Sequence, residues 1–113
     1  MRNMSFMLTT SQMIARQKRV TRRLGWWFLN VGDVVMAVEK GMGLKRGEKV
    51  KKLYPIRVLS IRGEPLQDIT QNECVLEGFP DMKPRDFVLM FMDTHKCGPL
   101  EIVNRIEFEE VKP

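Results

Sequence analysis

Residues 16–23 read Arg-Gln-Lys-Arg-Val-Thr-Arg-Arg, five cations around a single hydroxyl. Residue types at this spacing could do two kinds of chemistry. The cations, followed by the flat indoles of Trp26 and Trp27, can hold a phosphate and stack a base. The other possibility is covalent. A threonine hydroxyl attacks an acyl carbon only after a base takes its proton. Lys18, three residues before Thr21, can be that base if neighbouring cations depress its pKa. Arg16, Arg19, Arg22 and Arg23 push in that direction. Burial would strip hydration from every unpaired cation, so the run is expected in solvent or against an anionic partner.

A second basic stretch follows. Residues 40–52 carry Lys40, Lys45, Arg46, Lys49, Lys51 and Lys52 against Glu48, so two short segments hold most of the charge behind the net +5. Clustering of this kind raises the local potential toward phosphates, nucleic acid above all. Gly41, Gly43 and Gly47 make the second stretch a loop. Their spacing is no dinucleotide fingerprint, because no helical pattern follows. Both stretches also fit a bland reading, a solvated turn and a solubilising loop.

The elements that must position these residues fit one domain spanning residues 1–113. Hydrophobic residues at 43% and charged residues at 29% argue against disorder and coiled coil. The longest apolar run, Phe87 to Met92, falls well short of the roughly 20 residues of a membrane-spanning helix, and the N-terminus lacks a signal-peptide core. A cytoplasmic protein with no membrane partner is expected. Cys74 and Cys97 suggest neither a disulfide framework nor, with His95, the four ligands of a structural zinc site. No metal and no cofactor are expected, and a monomer is favoured.

In chain order, residues 5–10 read as a first strand and Thr10 or Ser11 as the cap of a helix about two turns long. The β-branched pair Val20-Thr21 reads as extended chain. Val34–Val38 reads as a strand covered on both faces, and Lys51–Ile61 as a long alternating strand ended by Pro65. Thr70-Gln71-Asn72-Glu73 matches a capping box, opening a helix that stops at Gly78. Pro84 starts a helix through about Lys96, and Glu101–Val111 alternates as a last strand. This order predicts an α+β fold, a small barrel with helices packed at its side.

Three pieces carry a family resemblance. Lys18-Arg19-Val20-Thr21-Arg22-Arg23 is similar to a G-x-K-T-x-T-x-R element. Val31-Gly32-Asp33-Val34-Val35 looks like a GD strand entry, and Asp68-Ile69-Thr70 leading to Glu77-Gly78-Phe79 is similar to a "DIT…EGF" helix. In this order they resemble the ASCH domain, a PUA-like β-barrel associated with RNA, and its compact bacteriophage and prophage versions. The resemblance implies RNA or a modified nucleoside as partner. In its amidohydrolase subgroup, which acts on N4-acetylcytidine, it implies a catalytic set that falls on Lys18 as base, Thr21 as nucleophile and Glu77 as acid. Cleavage of RNA is a less favoured activity. Two positions depart from the pattern: Gln17 or Arg16 stands for the glycine, and Arg19 for the first threonine.

The leading expectation is a basic cleft binding RNA or a nucleotide through Arg19, Arg22, Arg23, Trp26, Lys40, Lys45, Arg46 and Lys49. The alternatives are the amidohydrolase and a non-catalytic module that meets an acidic protein patch.

Overall fold

The computed structural model describes residues 1–41 and 43–113. Met42, in the glycine-bearing loop, lies outside the described residues. The strands are β1 (Asn3–Ser5), β2 (Val20–Arg23), β3 (Val34–Val38), β4 (Lys52–Pro65) and β5 (Ile102–Glu110). The helices are α1 (Thr10–Ile14), α2 (Gln71–Leu76) and α3 (Pro84–His95). One five-stranded sheet has the order β1-β3-β4-β5-β2; β1 runs parallel to β3, and the other neighbours are antiparallel.

The α+β class stands, but the barrel does not close. β1 and β2 are the two edges of an open sheet. Closure would need a ladder between them, and β1 ends after three residues. The expected strand over residues 5–10 gives way to a 3-10 turn at Met7–Thr9. Side chains, rather than hydrogen bonds, span the gap: the Arg23 guanidinium lies 4.7 Å over the Phe6 ring.

Two apolar clusters flank the sheet. Phe6, Met13, Val35, Ile56, Val58 and Phe108 belong to the larger one. Leu66, Ile69, Cys74, Phe87, Phe91 and Val103 form the other, beneath α2 and α3. β4 keeps facing the larger cluster through a register shift between Val58 and Ser60. Ile56 and Val58 are buried, Leu59 is left exposed, and Ile61 packs back against the larger cluster. The extra residue turns Arg62 and Glu64 toward α2, which strict alternation with Ile56 would have forbidden.

α3 follows its signals closely. Pro84 occupies the first turn, and Lys96 at φ 53° ends the helix in the left-handed region. α2 uses half of its capping box. Thr70 Oγ1 accepts from the Glu73 backbone N–H at 3.2 Å, but the Glu73 carboxylate is drawn elsewhere. α1 is five residues long, shorter than the two turns expected.

Candidate functional site

The basic run divides: Arg16 and Arg19 stay exposed, but its middle does not lie in solvent. Lys18 and Arg22 are 5% and 4% exposed, and their anionic partners come from this same chain. Arg22 on β2 stands directly opposite Arg105 on β5, which stands opposite Arg62 on β4. Three cations in a row across a sheet would repel. α2 answers them with Glu73 and, at its C-cap, Glu77, one turn apart on one face. Glu73 accepts from Arg105 Nε and Nη2 at 2.8 and 2.9 Å and from Arg22 Nη2 at 2.8 Å. Glu64 takes a further bond from Arg22 Nη2 at 2.7 Å, and Glu77 one from Arg22 Nη1 at 3.0 Å.

These contacts set the protonation states. Hydrogen bonds from Arg105 and then Arg22 outweigh burial and hold the Glu73 carboxyl at about 2, against an ordinary 4.5. Burial opposes the charge on Arg22, yet Glu77, Glu73 and Glu64 together raise its pKa. Among the described residues, Arg22 Nε is a buried donor with no partner.

Lys18 completes the network from outside the sheet. Its Nζ donates to Glu77 Oε1 at 2.5 Å and to the Glu77 carbonyl at 3.0 Å, across 59 residues of sequence. Local backbone fixes this meeting. The Arg19 N–H donates to the Leu76 carbonyl at 2.7 Å, stitching the strand entry to the end of α2. Gly78 then turns the chain at φ +95°, and a Cβ there would stand 2.8 Å from Gln12 and 3.4 Å from that of Lys18. Only glycine meets both demands. Burial lowers the Lys18 pKa against the pull of Glu77, helped by the charges of Arg23 and Arg22. Arg16, expected to join them, is instead tied to Glu110 at 3.0 Å.

Beside this pair a cleft of about 510 Å³ opens in the gap between the sheet's edges. Lys18, Thr21, Arg22, Arg23 and Glu77 supply its charged and polar lining, with Ser5, Thr9, Thr94 and His95. Phe6, Phe79, Phe87, Met90 and Phe91 supply apolar wall. The Phe87 and Phe91 rings stack 6.2 Å apart, and His95 lies 4.1 Å from Phe91. Thr21 is 3% exposed, and its Oγ1 accepts from Arg23 Nε at 3.0 Å.

The structure therefore brings Lys18, Thr21, Glu77, Arg22 and Arg23 together and leaves the other candidates apart. Arg19 is exposed and outside the cleft lining. Trp26 is half-buried against the larger cluster, where Asn104 Nδ2 donates to its carbonyl at 3.0 Å. Trp27 is 51% exposed. Lys45, Arg46 and Lys49 are exposed on their loop, and half-buried Lys40 approaches Glu48 at 3.9 Å. That loop begins at the cleft's rim, where Ser5 Oγ donates to the Glu39 carbonyl at 3.3 Å.

Glu64, Glu73 and Arg105 were not legible as part of the site, and Phe87 and Phe91 read only as core. The available signal was the four-residue spacing of Glu73 and Glu77, one helical turn, which puts both carboxylates on one face.

Fold and cleft define a small α+β protein whose open sheet carries a partly apolar cleft between its edges. In architecture the chain is similar to protein EF3133 from Enterococcus faecalis V583, of the family DUF984, with a TM-score of 0.55 and 14% identity. The match covers 87% of this chain and 63% of that one, so this chain spans under two thirds of that protein's length. The likeness concerns the fold alone. No family model and no curated protein matches the sequence. Among the described residues, no helix is long and apolar enough to cross a membrane.

Proposed function

We propose that the chain receives a nucleoside-sized ring in the cleft and hydrolyses an acyl–nitrogen bond on it, as an amidohydrolase of the N4-acetylcytidine type. The observation that carries this reading is the convergence of Lys18 and Thr21 with Glu77, remote from them in sequence, on one cleft with aromatic walls. The similarity of these positions to the ASCH amidohydrolase pattern supports it. So does the depressed Lys18 pKa, since burial favours the neutral amine that a base must be.

The resting Lys18–Glu77 pair holds one transferable proton. Its passage from Nζ to Oε1 leaves a neutral amine and a carboxylic acid. Lys18 then takes the Thr21 hydroxyl proton as Oγ1 bonds to the acyl carbon. The carbon–nitrogen bond breaks, and Glu77 protonates the departing amine. Water attacks the resulting threonyl ester with Lys18 passing on the proton, which frees the acid and restores Thr21.

RNA is the favoured carrier of the ring. The exposed cations of residues 45–49 sit on a loop that starts at the cleft's rim, where phosphates flanking an inserted base would run.

The test is chromatographic detection of cytidine released from N4-acetylcytidine by the wild type and by Thr21→Ala. Release by the wild type, lost at least about a hundredfold in the variant, is expected. No release by the wild type overturns the hydrolase, and equal release by both moves the nucleophile elsewhere.

A further inference from the structure

Arg23 is, among the described residues, the cation of the cleft that no carboxylate answers. Lys18 and Arg22 spend their charge on Glu77, Glu73 and Glu64. Arg23 donates only through Nε, to Thr21 Oγ1. Its guanidinium lies over the Phe6 ring, and its two terminal nitrogens have no hydrogen-bond partner among the described residues. Neither is a sealed, orphaned atom, so both remain open for a bond.

The surroundings make this charge costly. Burial lowers the Arg23 pKa from 12.5 to about 10, and only the field of Glu77 opposes the shift. At neutral pH the group is still a cation. Glu77, the carboxylate of that field, is already committed to Lys18 and Arg22. His95, across the cleft, is held below its ordinary 6.5 by burial and by Arg23, so at neutral pH it adds no second positive charge.

We infer that the cleft is built for a ligand bearing an anionic oxygen group, carboxylate or phosphate, received by the two terminal nitrogens of Arg23 while the ligand's ring lies along the aromatic wall. The guanidinium fork matches two oxygens of either group. A partly apolar, partly closed site strengthens that pair relative to water. An anion so placed lies beside Thr21 Oγ1, because the same guanidinium already bonds that oxygen. The inference deepens the reading above by assigning a charge to the ligand. It shares with that reading only the cleft and requires no hydrolysis.

Calorimetric titration of the full chain with benzoate, phenyl phosphate and neutral benzamide tests it, all three probes having the same ring. At least one anion should bind about tenfold or more tighter than benzamide, and the stronger of the two identifies the favoured oxyanion. Arg23→Gln should erase the preference, and Arg23→Lys should retain part of it as a point charge. Equal binding of anions and benzamide by the wild type overturns the inference without recourse to a variant. So does a preference that survives in folded Arg23→Gln, or anion binding weaker than about 10 mM. Benzoate or phenyl phosphate bound through Arg23 by a protein that leaves N4-acetylcytidine intact would sink the hydrolase and keep the anion site. The reverse pattern would do the opposite.

Discussion

Residues 16–23 and residues 40–52 look alike as sequence, two dense basic segments, yet the fold buries the heart of the first and leaves the second mostly at the surface. Lys18 and Arg22 are buried and answered by Glu64, Glu73 and Glu77. Lys45, Arg46 and Lys49 stay exposed. The deciding factor is what the rest of the chain carries to each segment. α2 delivers two carboxylates to the first, while Glu48 is the only acid of the second. A buried charge network then costs little only while every member is present, because removing one partner strands another in a medium that hydrates it poorly. An exposed cation can be deleted with little effect on the fold.

The sharpest way to break this contrast is Glu73→Ala. It leaves Arg22 and Arg105 short of their shared carboxylate, and a loss of about 3–5 kcal/mol is expected in urea unfolding. A loss below about 1 kcal/mol would put the two basic segments on the same footing.

Gly78→Ala comes next. It meets the positive φ and the side chain of Gln12 together, and should cost about 1–3 kcal/mol. It should also displace Glu77 and reduce any N4-acetylcytidine turnover. A variant as stable as wild type would show that the α2 terminus adapts.

Acid probes the same network without mutation. The Glu73 pKa is depressed in the folded state, so its contribution is complete above about 4.5 and is lost as pH falls toward about 2. Stability should decline across that window in the wild type and more shallowly in Glu73→Gln. Parallel curves would remove Glu73 as the titrating group.

The smallest effect on the fold belongs to the loop. Lys45, Arg46 and Lys49 replaced together by alanine should change stability by no more than about 0.5 kcal/mol per site. If each meets a phosphate, the same change should flatten the salt dependence of RNA binding by about 2–3 units of log–log slope. An unaltered slope would take RNA off this loop.

Local signals in the sequence were strong wherever local physics decided the outcome. Val34–Val38, the proline-started α3 and the last strand came through nearly to the residue, since propensity, caps and period agree there. The break at Val20-Thr21 was legible for the same reason. Sheet closure was not, because it depends on whether β1 reaches β2, a contact between remote segments. Strict alternation also misassigned the far half of β4, where one bulged residue reverses the faces. In the site, Lys18, Thr21 and Glu77 emerged from a motif. The acids that make burial of Lys18 and Arg22 tolerable did not, since Glu73 fitted a cap and Arg105 was one position of an alternating strand. A carboxylate able to cap a helix or neutralise two arginines takes the stronger pairing, and the sequence states only the first option.

The pairing of β2 with β5 also has a kinetic meaning. Thr21 lies beside Ile106, so the strand bearing Thr21 cannot be seated until nearly the whole chain has been gathered. Such distant pairings incur their loop-closure entropy before any contact repays it. β3 and β4, adjacent in sequence, are free to pair early. The cleft is therefore a late product of folding, and substitutions at Val20 or Ile106 should mainly quicken unfolding and leave the folding rate nearly untouched. A stalled intermediate would hold much of its sheet while Lys18, Thr21 and Glu77 had yet to meet.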